Sequence, residues 1–74
     1  MAASTDPRVL FGERLRKLRQ QRGLTQEGLA ERSHLHRNYI GGVERGERTV
    51  SLINIVELAR ALAVKPKDLL AEIP

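Results

Sequence analysis

The chain contains no cysteine and no tryptophan, and its aromatic content is one phenylalanine, Phe11, and one tyrosine, Tyr39. Without cysteine, neither a disulfide framework nor a thiolate metal site can staple a small fold. The lack also fits a reducing compartment such as the cytosol. Two aromatic residues are too few for a cold-shock or RNA-recognition sheet, which stacks several bases on aromatic rings. No apolar run approaches the roughly 20 residues that cross a bilayer, and residues 1–7 have neither the basic nor the apolar stretch of a signal peptide. A cytoplasmic protein without a membrane partner is therefore expected. The sequence also lacks alternating strand patterning, internal repeats and any linker long enough to divide domains.

What remains is one small helical domain. At 74 residues, 41% hydrophobic and 30% charged, the chain can bury a single core and leaves most of its surface wet. Tight helix packing and self-association are the remaining sources of stability. The net charge is +4, and it is unevenly placed. Residues 1–22 carry Arg8, Arg14, Arg16, Lys17, Arg19 and Arg22 against Asp6 and Glu13, whereas the rest of the chain is balanced. Ten of the 13 cations are arginine, the better fork for phosphates and guanine edges. The composition allows two readings, a basic face for a polyanion or a merely solvated surface.

Five helices are legible from their caps and periodicity. The first starts near Asp6-Pro7, an N-cap followed by a tolerated first-turn proline, and ends at Gly23. Its residues Phe11, Leu15 and Leu18 lie within about 60° of one another at about 100° per residue. Thr25 caps a second helix, Gln26 to about Arg32, with Leu29 and Ala30 inward; Gly28 stands where a capping box would have Glu, so this end should be weaker. After a short turn, residues 33–36, a third helix runs from about Arg37 to Arg45 and stops at Gly46. Ser51 caps a fourth that reaches about Ala63. Pro66 opens a fifth, with Val64 and Leu69 placed to staple its start.

The third helix carries a misplaced charge. Ile40, Val43 and Glu44 point the same way, and a buried carboxylate without a partner is costly. Arg19, on the rim of the first helix's apolar stripe, is the expected partner in a structural ion pair; the alternative leaves Glu44 in solvent at the helix end. On the opposite face sit Gly41 and Gly42, each costing about 0.8–1 kcal/mol relative to alanine within a helix. Either the backbone there approaches another surface closely, or it packs against helix two.

Two stretches, Thr25-Gln26-Glu27-Gly28-Leu29-Ala30-Glu31-Arg32 and Arg37-Asn38-Tyr39-Ile40-Gly41-Gly42-Val43-Glu44-Arg45-Gly46, resemble the helix-turn-helix of the phage-repressor-like (Cro/cI, or XRE) transcriptional regulators. Ser51-Leu52 and the leucine pattern after it resemble that family's fourth and fifth helices. The words around Arg37 and Arg48 look most like the controller proteins of restriction–modification systems. The resemblance implies an all-α, five-helix, lambda-repressor-like DNA-binding domain. Residues 1–7 would form an arm and 8–74 the domain, with the motif at about 26–45 and dimerisation helices at about 52–73. It further implies a sequence-specific regulator of double-stranded DNA, acting at the nucleoid without cofactor, metal or small-molecule ligand. Arg37 and Asn38 would reach bases, since Arg can bridge guanine O6 and N7 and Asn adenine N6 and N7. Gln26, Tyr39 and Arg45 would hold phosphates, as would His36 unless it caps helix three; Arg48 would hold the backbone or reach a base. Gly41 and Gly42 stand where many relatives carry base-touching side chains, so direct readout should be thin. His34 replaces the usual turn glycine, so it must be strained or the turn must differ. Lys65 replaces the usual serine-type cap of the last helix.

Other chemistries are weak. His34 and His36 have too few ligands nearby for zinc. Asp6 and Asp68 lie near opposite ends, which leaves no credible Ser–His–Asp set, and Gly41-Gly42 lies inside a helix rather than in a phosphate loop. No enzyme is expected. On helix four, Leu52, Ile55, Leu58, Ala59 and Leu62 form one face; Ile53 and Val56 fall outside it, and Leu70 and Ile73 add more apolar surface. Such surplus points to a homodimer through helices four and five, set on a pseudo-palindromic operator; a wide buried stripe is the alternative. The rival function is an antitoxin or another protein-interaction module on the same fold. Such a module usually works through a disordered tail, and none is expected after Pro74.

Overall fold

The computed structural model describes residues 5–74, and within them the chain forms five helices and no strand: α1 (Pro7–Gln21), α2 (Gln26–Ser33), α3 (Arg37–Glu44), α4 (Leu52–Leu62) and α5 (Pro66–Leu69). Most of the segment read as an arm, residues 1–4, lies outside the described residues.

Helices α1 to α4 each begin where a side chain satisfies a free N–H group of the first turn. Asp6 Oδ1 accepts from the Arg8 N–H at 2.9 Å, Thr25 Oγ1 from the Gly28 N–H at 2.9 Å, and Ser51 Oγ from the Asn54 N–H at 3.1 Å. The Arg8 guanidinium, which also donates to Asp6, holds that carboxyl below its ordinary range. His36 caps α3 through Nδ1, which accepts from the Asn38 N–H at 3.0 Å. At α5 the arrangement is reversed: the Lys65 side chain caps nothing, and the Asp68 carboxylate accepts from the Lys65 N–H at 2.9 Å. The turn after α2 keeps its left-handed geometry without glycine, with His34 at φ 61°.

Every helix contributes to one core. Phe11, Leu15 and Leu18 of α1 meet Leu29 of α2, Ile40 and Val43 of α3, Leu58, Ala59 and Leu62 of α4, and Leu69 of α5. Helix α1 packs on α3 and α5, while α2 packs on α3 and α4. The crossing of α1 and α3 is close. A Cβ on Gly12 would lie 2.3 Å from the Val43 carbonyl oxygen and 2.7 Å from that of Glu44. Only a glycine lets the two backbones approach so nearly.

One sequence expectation changes here. Leu52 is expected on the face of Leu58 and Leu62, yet at about 100° per residue it lies about 120° from Leu58, and it is 75% exposed. The core takes the Leu58–Leu62 side of the stripe, with Ile55 packed against it, and Leu52 falls at the margin. Among the residues read as a dimer surface, Ile53 is 72% and Leu70 40% exposed, Val56 is half-buried, and Ile73 packs partly against the core.

Candidate nucleic-acid interface

The amino end of α2 is held against the carboxyl end of α3 by a buried ionic knot. The Arg19 guanidinium donates from Nε to Glu44 Oε2 at 2.6 Å and from Nη2 to Oε1 at 3.1 Å, while Nη1 donates to the Leu24 carbonyl at 2.8 Å. Gln26 Nε2 donates to Glu44 Oε1 at 3.1 Å. The two charged side chains are only 11% and 4% exposed. Their hydrogen bonds satisfy the fork and the carboxylate together, the condition under which buried charge is tolerated. One cluster thus joins α1, the entrance to α2 and the last turn of α3.

Above this knot the surface is polar and slightly concave. A depression of about 110 Å³ is lined by Gln26, Arg37, Asn38, Gly41 and Arg45. Gly41 forms its floor: a Cβ there would meet Arg45 Nη1 at 3.1 Å and Gln26 Oε1 at 3.5 Å. Arg37 and Asn38 are exposed at the first positions of α3. Arg37 Nη1 donates to Glu27 Oε1 at 3.2 Å, and Arg45 Nε to Glu47 Oε2 at 3.1 Å. Both pairs are more than half exposed, so they are weak and can yield to a stronger anion.

Three predicted site residues are engaged inside the protein. The Tyr39 hydroxyl donates to the Thr49 carbonyl at 3.3 Å and accepts from Asn54 Nδ2 at 3.0 Å. It therefore braces the loop after α3 against α4, and its single proton is already engaged. Gln26 has one amide proton on Glu44 and keeps a second, together with the free N–H groups of the first turn of α2. His36 uses Nδ1 for its cap, which leaves Nε2 facing outward as the donor. Gly12, the Tyr39–Asn54 link and the two glutamates facing Arg37 and Arg45 are site features that sequence reasoning missed. The glutamates had a signal, since residues 23–50 carry equal numbers of both charges.

The amino-terminal excess of charge is also redistributed. Arg19 is buried, Arg14 Nε donates to the Asp68 carbonyl at 2.8 Å, and Arg22 Nη2 to the Ala63 carbonyl at 3.3 Å. Much of the cationic surplus on α1 therefore ties helices together.

A second hollow, apolar and about 170 Å³, runs between Pro7, Phe11, Val50, Ile55, Leu70 and Ile73. It falls below the ~300–1,000 Å³ of ordinary ligand sites. Among the described residues no three histidines, aspartates or glutamates gather as a metal site, and no helix is long and apolar enough to cross a membrane.

The helix-turn-helix family model matches residues 15–69. Control protein C.BamHI of Bacillus amyloliquefaciens is 50% identical over 64 residues, covering 85% of this chain and 79% of that protein. Control protein C.SmaI of Serratia marcescens is 46% identical over 65 residues, covering 88% and 77%. The crystal structure of the restriction-modification controller protein C.AhdI from Aeromonas hydrophila superposes with a TM-score of 0.83 at 58% identity, covering 84% of this chain and 94% of that one. The chain belongs to the helix-turn-helix family, among the restriction–modification control proteins. As a member of that family it is a DNA-binding transcriptional regulator, not an enzyme. The paired helices of this regulator are α2 and α3, with the turn at 34–36 between them.

Proposed function

We propose that the protein binds a pseudo-palindromic operator as a homodimer, lays α3 in the major groove, and regulates restriction–modification genes. The depression that gathers Gln26, Arg37, Asn38 and Arg45 over the bare backbone of Gly41 carries this reading. It sets planar donors and a carboxamide beside unsatisfied helix N–H groups, a combination suited to phosphates at the rim and base edges at the centre.

Arg37 and Asn38 read bases. Arg48 reads a base or holds the adjoining backbone. Gln26, through its first-turn N–H and second amide proton, grips phosphate together with His36 Nε2 and Arg45. Tyr39 serves the DNA backbone through the loop that it braces. The Arg19–Glu44 pair keeps the two helix ends in register. Residues 8–74 act as one domain. Ile53 and Leu70, flanked by Val56 and Ile73, form the two-fold contact that places the recognition helices roughly 34 Å apart. The protein works on nucleoid DNA in the cytoplasm. Its concentration, acting through dimerisation, is the control variable.

Footprinting over a salt series tests the reading. The expected result is two protected tracts about one helical turn apart, with log K falling linearly as log salt rises. Absence of protection at every ionic strength contradicts it.

A further inference from the structure

The second glycine of α3 has its own neighbour. A Cβ on Gly42 would lie 2.7 Å from Arg48 Cγ, 3.5 Å from Nε and 3.6 Å from Cδ. The arginine stem therefore runs along the helix where Gly42 lacks a side chain. The loop is fixed there twice, because the Glu47 N–H donates to the Gly42 carbonyl at 2.9 Å. Arg37 and Arg45 each face a glutamate. Arg48 does not: among the described residues no hydrogen bond or ion pair engages its guanidinium, and the residue is exposed. Packing rather than charge holds it, so its cation stays unneutralised.

We propose that Gly42 is a positioning residue for DNA recognition: its missing side chain seats the stem of Arg48 and so aims an unpaired guanidinium at the duplex. This rests on the DNA-binding reading above. Holding the stem removes rotamer freedom before binding, so less is lost on contact. The seat explains why α3 carries, mid-helix, one of the residues least suited to a helix. A methyl at this position must push the Arg48 stem out of its seat at Cγ, so the aim of the guanidinium is lost.

The test is a double-mutant cycle of Gly42→Ala and Arg48→Ala, read on the duplex that the wild-type protein recovers from a selection on random duplexes. Gly42→Ala should weaken binding roughly 5-fold or more, the size of one lost contact. Arg48→Ala should weaken binding at least as much, and adding Gly42→Ala to it should cost nothing further. The inference is overturned if Gly42→Ala binds as wild type or if its loss persists in full in the Arg48→Ala background. A contact seen without DNA gives a separate check. Nuclear Overhauser effects between the Gly42 α-protons and the Arg48 side chain are expected in the free protein, and their absence removes the seat. Should the wild type itself recover no duplex, the DNA-binding reading fails and this inference with it, a result distinct from a variant-specific one.

Discussion

At the scale of single residues, strain and burial decide which substitutions are tolerated. His34 closes α2 in the left-handed region at φ 61°, and its side chain is exposed. An L-residue pays about 1–2 kcal/mol for that conformation, partly offset by the larger entropy glycine loses on folding. His34→Gly should therefore stabilise the fold by about 0.5–1 kcal/mol in urea titration; a lower midpoint would show that the imidazole holds the turn. Glu44 stands at the other extreme. Removing it leaves the Arg19 charge, at 9% exposure, without its carboxylate. Glu44→Ala should cost about 3–5 kcal/mol. The double change Arg19→Met with Glu44→Leu should cost much less than either single change, because no orphan charge remains. Equal melting of Glu44→Ala and wild type would contradict a buried pair.

The pair illustrates what the sequence makes legible and what it hides. Helix limits follow from short local signals, Asp6-Pro7, Thr25, Gly23, Gly46, Ser51 and Pro66, and the angular position of Arg19 points to Glu44. Three kinds of information were out of reach. A wheel does not show how much of a broad apolar stripe is covered, so Leu52, at its margin, looked inward. The reach of arginine is absent from composition, so Arg14 and Arg22 looked like free cations although they hold the carbonyls of Asp68 and Ala63. A contact between distant segments, such as Tyr39 with Thr49 and Asn54, requires the tertiary fold itself.

Between elements, the α1–α3 crossing sets the geometry of the motif. Gly12 gives no periodic signal, and its place at the crossing appears only when α3 is laid across α1. A methyl there would meet backbone, at 2.3 Å from the Val43 oxygen, and backbone cannot swing aside as a surface arginine can. Gly12→Ala should destabilise by about 1–3 kcal/mol, despite the higher helix propensity of alanine. In a domain of this size that lowers the melting temperature by about 5 °C or more. A melting temperature at or above that of wild type would show that the helices can part without loss. The same substitution is thus expected to cost more at Gly12 than at Gly42, because one glycine faces main chain and the other a side chain.

For the molecule as a whole, function depends on two copies. The first turn of α4 exposes Ile53 at 72% beside Leu52 at 75%, an apolar surface that a monomer gains nothing by displaying. Ile53→Glu should shift sedimentation toward the monomer and move operator binding to higher protein concentration; an unchanged mass and binding curve would place the two-fold contact elsewhere. The account as a whole turns on whether α3 reads bases with its first two residues. The most direct measurement is a selection on random duplexes run in parallel with wild type and Arg37→Ala. The account predicts that the variant binds the wild-type duplex about 1–3 kcal/mol more weakly and loses base preference at one position in each half-site while the rest of the profile persists. A variant profile identical to that of wild type would contradict it.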